Sequence, residues 1–125
     1  MPFPAHIAVV DDDPYVCRAL QRLLRSSGYS VETHISGAAL LARLDEQPPD
    51  CIVLDLHMPG MNGFEVQNRL HQRGLNIPVV IITGHATPES CTRALESGAS
   101  AFICKPIDMS DLLGAVRSAL MSSHA

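Results

Sequence analysis

Asp11, Asp12, Asp55, Thr83 and Lys105 are the residues of this 125-residue chain best suited to chemistry, because each lies where a short apolar run ends. Ile7–Ala8–Val9–Val10 leads into Asp11–Asp12–Asp13, and Cys51–Ile52–Val53–Leu54 leads into Asp55. Val79–Val80–Ile81–Ile82 ends on Thr83, and Ala101–Phe102–Ile103–Cys104 ends on Lys105, the only lysine present. Carboxylates gathered at one place repel by about 4 kcal/mol per pair at ~4 Å and a surface-like dielectric, so they require protons or a cation. A hard divalent ion with oxygen ligands, Mg²⁺ above all, fits such a set and leaves coordination sites for phosphate oxygens. A lone ammonium facing them suits a phosphoryl oxygen, which a threonine hydroxyl can also serve as donor. Taken alone, Asp11 and Asp12 read equally well as solvated turn residues, Lys105 as a surface ion pair and Thr83 as an ordinary strand end. Asp55 and Lys105 at matching strand ends favour the cation site.

Such a meeting requires the runs to be parallel neighbours. Continuous β-branched and aliphatic runs followed by turn residues predict strands buried on both faces of a parallel sheet. Helical patterns separate them. Asp13 and Pro14 open a helix with Cys17, Leu20, Leu23 and Leu24 on one face, and Ser26–Ser27–Gly28 ends it. Val31–Glu32–Thr33 predicts a shorter, weaker strand, and Ser36 caps a helix carrying Leu40, Leu41 and Leu44. A turn-rich loop, 58–63, precedes a helix with Val66 and Leu70. Thr87–Pro88 opens a helix with Ala94 and Leu95, and Asp108 with Asp111 resembles a capping box for a last helix through Leu112, Leu113, Val116 and Leu120. Five βα units with right-handed crossovers imply an α/β fold, a doubly wound parallel sheet whose ligands sit beyond the carboxyl ends of the strands.

The bulk numbers bound the rest. At 125 residues, 46% hydrophobic and 18% charged, a single domain over 1–125 is expected, with no linker. A net charge of −4 argues against nucleic-acid binding by this chain alone. With no bilayer-length apolar run and no signal-peptide pattern in Met1–Pro4, a cytoplasmic protein without a membrane partner is expected. Cys17, Cys51, Cys91 and Cys104 form no C-x-x-C, which favours core packing over zinc or disulfides.

Val9–Val10–Asp11–Asp12–Asp13, the stretch Leu54–Asp55–Leu56–His57–Met58–Pro59–Gly60–Met61–Asn62–Gly63, Ile82–Thr83–Gly84 and Cys104–Lys105–Pro106 together resemble the receiver domain of two-component response regulators. Ile-Thr-Gly-His-Ala at 82–86 and Ala-Phe-Ile-Cys-Lys-Pro at 101–106 look most like receivers attached to LuxR-type outputs. The resemblance covers essentially the whole chain and implies a flavodoxin-like (βα)5 fold with strand order 2-1-3-4-5. It implies that Asp55 accepts a phosphoryl group from a phosphohistidine of a sensor histidine kinase or phosphotransfer protein. Asp12, Asp55 and the backbone carbonyl of His57 would hold Mg²⁺, with Asp11 acting largely through water. Thr83 and Lys105 would hold the phosphoryl oxygens, so the chain would catalyse its own phosphorylation and dephosphorylation without being an enzyme in the ordinary sense.

Thr83 and Phe102 would form the switch that reshapes the face of the fourth helix, fifth strand and fifth helix, with homodimerisation as one outcome. For Phe102 the plainer reading is core packing. His57 and His85, two residues beyond Asp55 and Thr83, would tune hydrolysis of the phosphoryl group, or are simply solvated. His6, His34, His71 and His124 carry no comparable position. Two other classes compete: a phosphorylation-independent interaction module, and a haloacid-dehalogenase-like phosphatase using an aspartyl phosphate. The phosphatase needs an acid two residues after its nucleophile, where this chain has His57.

Overall fold

The computed structural model describes residues 4–123; positions 1–3, His124 and position 125 lie outside that range. Five strands alternate with five helices: β1 His6–Val10, α1 Pro14–Ser26, β2 Ser30–His34, α2 Gly37–Arg43, β3 Cys51–Asp55, α3 Gly63–Gln72, β4 Val79–Thr83, α4 Pro88–Glu96, β5 Ala101–Cys104 and α5 Met109–Ser123. All strand pairs are parallel, in the order β2-β1-β3-β4-β5. This is the flavodoxin-like arrangement that the family resemblance implies.

Alternation along each strand divides the core into two layers. Ala8, Val10, Ile52, Leu54 and Ile81 face α2, α3 and α4 through Leu40, Leu41, Val66, Leu70 and Ala94. Ile7, Val9, Val53, Val80 and Ile82 face α1 and α5 through Cys17, Leu20, Leu24, Leu112 and Val116. Each fully buried Ile or Leu contributes about 1.5–3 kcal/mol, so the central strands anchor the sheet. The order reverses between β1 and β3, which opens a crevice at their carboxyl ends.

Helix starts follow local chemistry. Asp13 accepts the N–H of Tyr15 at 2.9 Å ahead of Pro14, and Ser36 accepts that of Ala39 at 3.1 Å. Thr87 and Ser90 form a capping box, and Asp108 accepts the N–H of Asp111 at 3.0 Å. Asn62, read above as part of a turn, is the N-cap of α3 and forms a capping box with Glu65.

Three expectations need correction. β5 is not buried on both faces: Ala101, Phe102 and Ile103 are half-buried and Cys104 is exposed, because β5 is an edge strand. β2 is as long as the central strands, and with Val31 its one apolar residue it is hidden from a search for apolar runs. Core packing holds for Cys17 and Cys51, but not for the exposed Cys104. On α4, Ala94 is buried whereas Leu95 points outward. Among the described residues no helix is long and apolar enough to cross a membrane.

Candidate functional site

β1 and β3 are neighbours in register, Val10 opposite Leu54, so Asp11 and Asp55 emerge side by side at the crevice. Asp55 is the last residue of β3 and is buried; Asp11 is fully buried, and Asp12 is exposed. One carboxylate oxygen from each lies within 4.8 Å of the others. Lys105 reaches this cluster from the far side of β4. Its Nζ donates to Asp11 Oδ2 at 2.9 Å and stands 3.9 Å from Asp55 Oδ1. The Lys105–Pro106 peptide is cis.

The remaining contacts fix these groups from below. Asp11 Oδ1 accepts the N–H of Asp13 at 2.9 Å, and its own N–H donates to the carbonyl of His34 at 3.1 Å. Cys17, which the sequence offers only as a core residue, places its Sγ 3.2 Å from the Asp11 carbonyl. Asp55 Oδ1 accepts the N–H of His57 at 3.4 Å. Gly63 approaches this strand end so closely that a Cβ there would lie 3.0 Å from the Leu56 Cα and 3.1 Å from the Asp55 carbonyl. Thr83 is fully buried at the end of β4, and its Oγ1 accepts the N–H of His85 at 3.1 Å. Its carbonyl accepts the N–H of Lys105 at 2.7 Å, tying β4 to the lysine.

The electrostatics follow from this packing. Burial first, then the charge of Asp11, raise the Asp55 carboxyl to about 6; Lys105 and the His57 N–H pull downward without prevailing. Burial alone would lower the Lys105 ammonium, but its hydrogen bond to Asp11 and the charges of Asp11, Asp55 and Asp12 outweigh it and raise the group. Three carboxylates against one ammonium leave a local excess of negative charge. An all-oxygen, partly open donor set of this kind fits a hard divalent cation.

His57 and His85, whose N–H groups bond Asp55 and Thr83, have ring centroids 5.7 Å apart in an edge-on arrangement, both exposed. Phe102 lies on β5 opposite Ile81, two residues before Cys104, the partner of Thr83. It therefore shares a face with Thr83 and packs, half-buried, on the α2–α3–α4 layer. The fold thus brings Asp11, Asp12, Asp55 and Lys105 into one cluster. Thr83 and the two histidines border it, and Phe102 lies along the sheet.

The family model described as response regulator receiver domain matches residues 7–117, nearly the whole chain. The chain belongs to this family. Among related receivers, that of the response regulator protein TodT of Pseudomonas putida is 40% identical over 114 residues, covering 91% of this chain and 50% of that protein. The transcriptional regulatory protein FixJ of Azorhizobium caulinodans is 38% identical over 120 residues, 96% of this chain and 57% of that protein. This receiver therefore spans about half the length of the curated relatives it matches. Among solved structures, a CheY-like receiver domain protein from Methanospirillum hungatei JF-1 superimposes with a TM-score of 0.90 at 27% identity, covering 97% of each chain. FixJ-N does so at 0.88 and 32% identity, covering 97% of this receiver and 96% of that chain.

Proposed function

We propose that this receiver accepts a phosphoryl group on Asp55 from a phosphohistidine of a sensor histidine kinase or phosphotransfer protein. The observation that carries this reading is the buried Asp55 carboxylate, flanked by Asp11 and Asp12 and faced by the single lysine. An Asp55 oxygen attacks phosphorus, the phosphorus–nitrogen bond to the donor imidazole breaks, and an acyl phosphate forms while the imidazole nitrogen keeps the bonding pair. Little covalent work falls to the protein in so loose a transition state, so positioning and charge neutralisation do most of it. Lys105 faces the incoming oxygens, Asp11 holds the lysine in place, and the Thr83 hydroxyl can turn from its buried seat to donate to a phosphoryl oxygen. Asp12, Asp55 and the His57 carbonyl, with Asp11 through water, would hold Mg²⁺. When bound, the ion supplies neutralising charge to the phosphoryl oxygens.

Movement of Thr83 toward the phosphoryl group frees space on the face it shares with Phe102, and Phe102 turns into it, reshaping the α4–β5–α5 surface. His57 and His85 sit where they shape water access to the acyl phosphate. Residues 1–125 act as one cytoplasmic receiver unit, with a LuxR-type output or homodimerisation as the responding element. The domain itself contacts neither nucleic acid nor membrane. The exposed imidazole at position 57 gives a dehalogenase-like phosphatase no acid to use, and retention of all three acids and the lysine goes against a phosphorylation-independent module.

Incubation with Mg²⁺ and acetyl phosphate, read on a phosphate-affinity gel, tests the proposal. A shifted band is expected for the parent chain and not for Asp55→Asn. No shift in the parent chain overturns it, and rapid turnover of phosphoesters turns the reading toward the phosphatase.

A further inference from the structure

His6 and His34 carry no weight as sequence positions, yet the fold brings both to one carboxylate. In the β1–β2 register, His6 pairs with Ser30, Ala8 with Glu32 and Val10 with His34, so the side chains of His6, Glu32 and His34 stand on one face. His6 Nε2 and His34 Nε2 each meet a different oxygen of Glu32. Behind them, His6 Nδ1 meets the Ser30 hydroxyl at 2.9 Å and the His6 N–H donates to the Asp50 carboxylate at 2.7 Å. The three side chains are only 11–17% exposed. Burial would raise the Glu32 carboxyl, but hydrogen bonds from His34 and His6 outweigh it and hold the group below its ordinary value.

This clasp lies at one edge of the sheet. β2 is an edge strand, joined to the sheet through β1 alone, and strand ends at an edge open most readily. Its last residue is the one that reaches the acid cluster. The carbonyl of His34 accepts the Asp11 N–H at 3.1 Å, and the Cys17 thiol lies 3.8 Å from the same carbonyl. Asp11 in turn holds Lys105 at 2.9 Å. Groups that act together at a site must be held to within about 0.5 Å.

We propose that the His6–Glu32–His34 clasp, with Glu32 as its centre, is a positioning device that fixes the end of β2 and thereby the placement of Asp11 in the acid site. The inference rests on the reading of Asp11, Asp12 and Asp55 as cation ligands. Glu32 touches neither cation nor phosphoryl group; it acts through the backbone of His34.

Two measurements on Glu32→Ala test it, with Val31→Ala as comparison. Val31 lies on the same strand, buried on the opposite face, and its truncation weakens β2 without touching the clasp. In metal-free protein, hydrogen exchange at the Asp11 amide should accelerate at least ten-fold in Glu32→Ala relative to Val31→Ala. Calorimetric titration with Mg²⁺ should show about ten-fold weaker binding in Glu32→Ala, the lower end for loss of an outer support, and binding within two-fold of the parent in Val31→Ala. Glu32→Gln, which can still engage both imidazoles, should recover most of the affinity and serves as the test variant if the alanine variant does not fold. In that role it should lose affinity by less than Glu32→Ala is expected to, but more than Val31→Ala does. Equal exchange and equal affinity in the Glu32 and Val31 variants overturn the inference. Absence of Mg²⁺ binding in the parent overturns the cation reading itself, and normal parent binding with an unaffected Glu32 variant overturns only the clasp.

Discussion

Replacing Asp55 with asparagine should stabilise the metal-free protein, by an amount set by pH. Burial and the charge of Asp11 raise the Asp55 carboxyl from an ordinary 3.8 to about 6. A difference of about two pH units corresponds to roughly 3 kcal/mol. Because the folded value lies above the unfolded one, the native state holds the proton more tightly. The associated stability is fully present below about pH 4 and is lost as pH rises through 6. The Asp55→Asn variant has no such loss, since an amide does not ionise. Urea unfolding of the parent and Asp55→Asn in a chelator should therefore show the variant ahead by roughly 3 kcal/mol at pH 7.5 and by about half as much at pH 5. Mg²⁺ should close most of the gap at pH 7.5 by stabilising the parent, in which the third carboxylate is present. A gap that does not change with pH, or a parent more stable than the variant at pH 7.5 without metal, refutes the electrostatic reasoning.

Lys105→Ala removes the only ammonium within 4 Å of Asp11 and Asp55 among the described residues, so Mg²⁺ should bind at least as well as in the parent. Its phosphorylation should leave the Phe102 amide resonance in place while the parent's moves, and equal shifts in both count against Lys105 as a link to the switch. Thiol labelling should divide the cysteines by exposure: Cys104 reacts quickly in native protein, while Cys17 and Cys51 wait for unfolding, burial having pushed the Cys51 thiol up to about 12. Mass mapping that finds Cys51 labelled as fast as Cys104 contradicts the described packing.

The site was legible for a reason peculiar to parallel sheets. A central strand reads as a continuous apolar run, so the polar residue that closes it marks the carboxyl edge where ligands sit. Asp55 and Thr83 are such residues, and their neighbours across the sheet follow once the strand order is known. The same logic fails at the edges. Ala101–Cys104 looks like Val79–Thr83 in sequence, but only one has a strand on each side. Nothing local distinguishes them, which is why Cys104 was misplaced. β2 carries one apolar residue, Val31, instead of an apolar run, so its length and its clasp were both hidden: His6 and Glu32 are 26 residues apart and meet only through strand pairing. Asn62 was obscured differently. A Pro-Gly turn reads as loop, and the cap that follows it is visible only through its reciprocal bonds with Glu65.

The division of Lys105 between its partners explains why the acids are not equivalent. The ammonium sits 2.9 Å from Asp11 but 3.9 Å from Asp55, so its hydrogen bond goes to Asp11 and Asp55 receives only the weaker, more distant attraction. Asp11 has a second donor in the Asp13 N–H at 2.9 Å, whereas the donor to Asp55 is the His57 N–H at 3.4 Å. Hydrogen bonds to an ionised carboxylate stabilise it, and the shorter pair here belongs to Asp11. Asp55 is thus the less satisfied anion in a buried place, as its carboxyl raised to about 6 reflects. Such a carboxylate stays ionised above pH 7, yet its oxygens are more basic than those of an ordinary aspartate and gain more from new bonds. On the proposed reading this is the property a phosphoryl acceptor requires. Shortening the Lys105–Asp55 contact at the expense of Asp11 would make Asp55 a more comfortable ion and a poorer nucleophile. The surroundings of Asp11, including the β2 end that holds its backbone, therefore bear on the reactivity of a residue they do not touch.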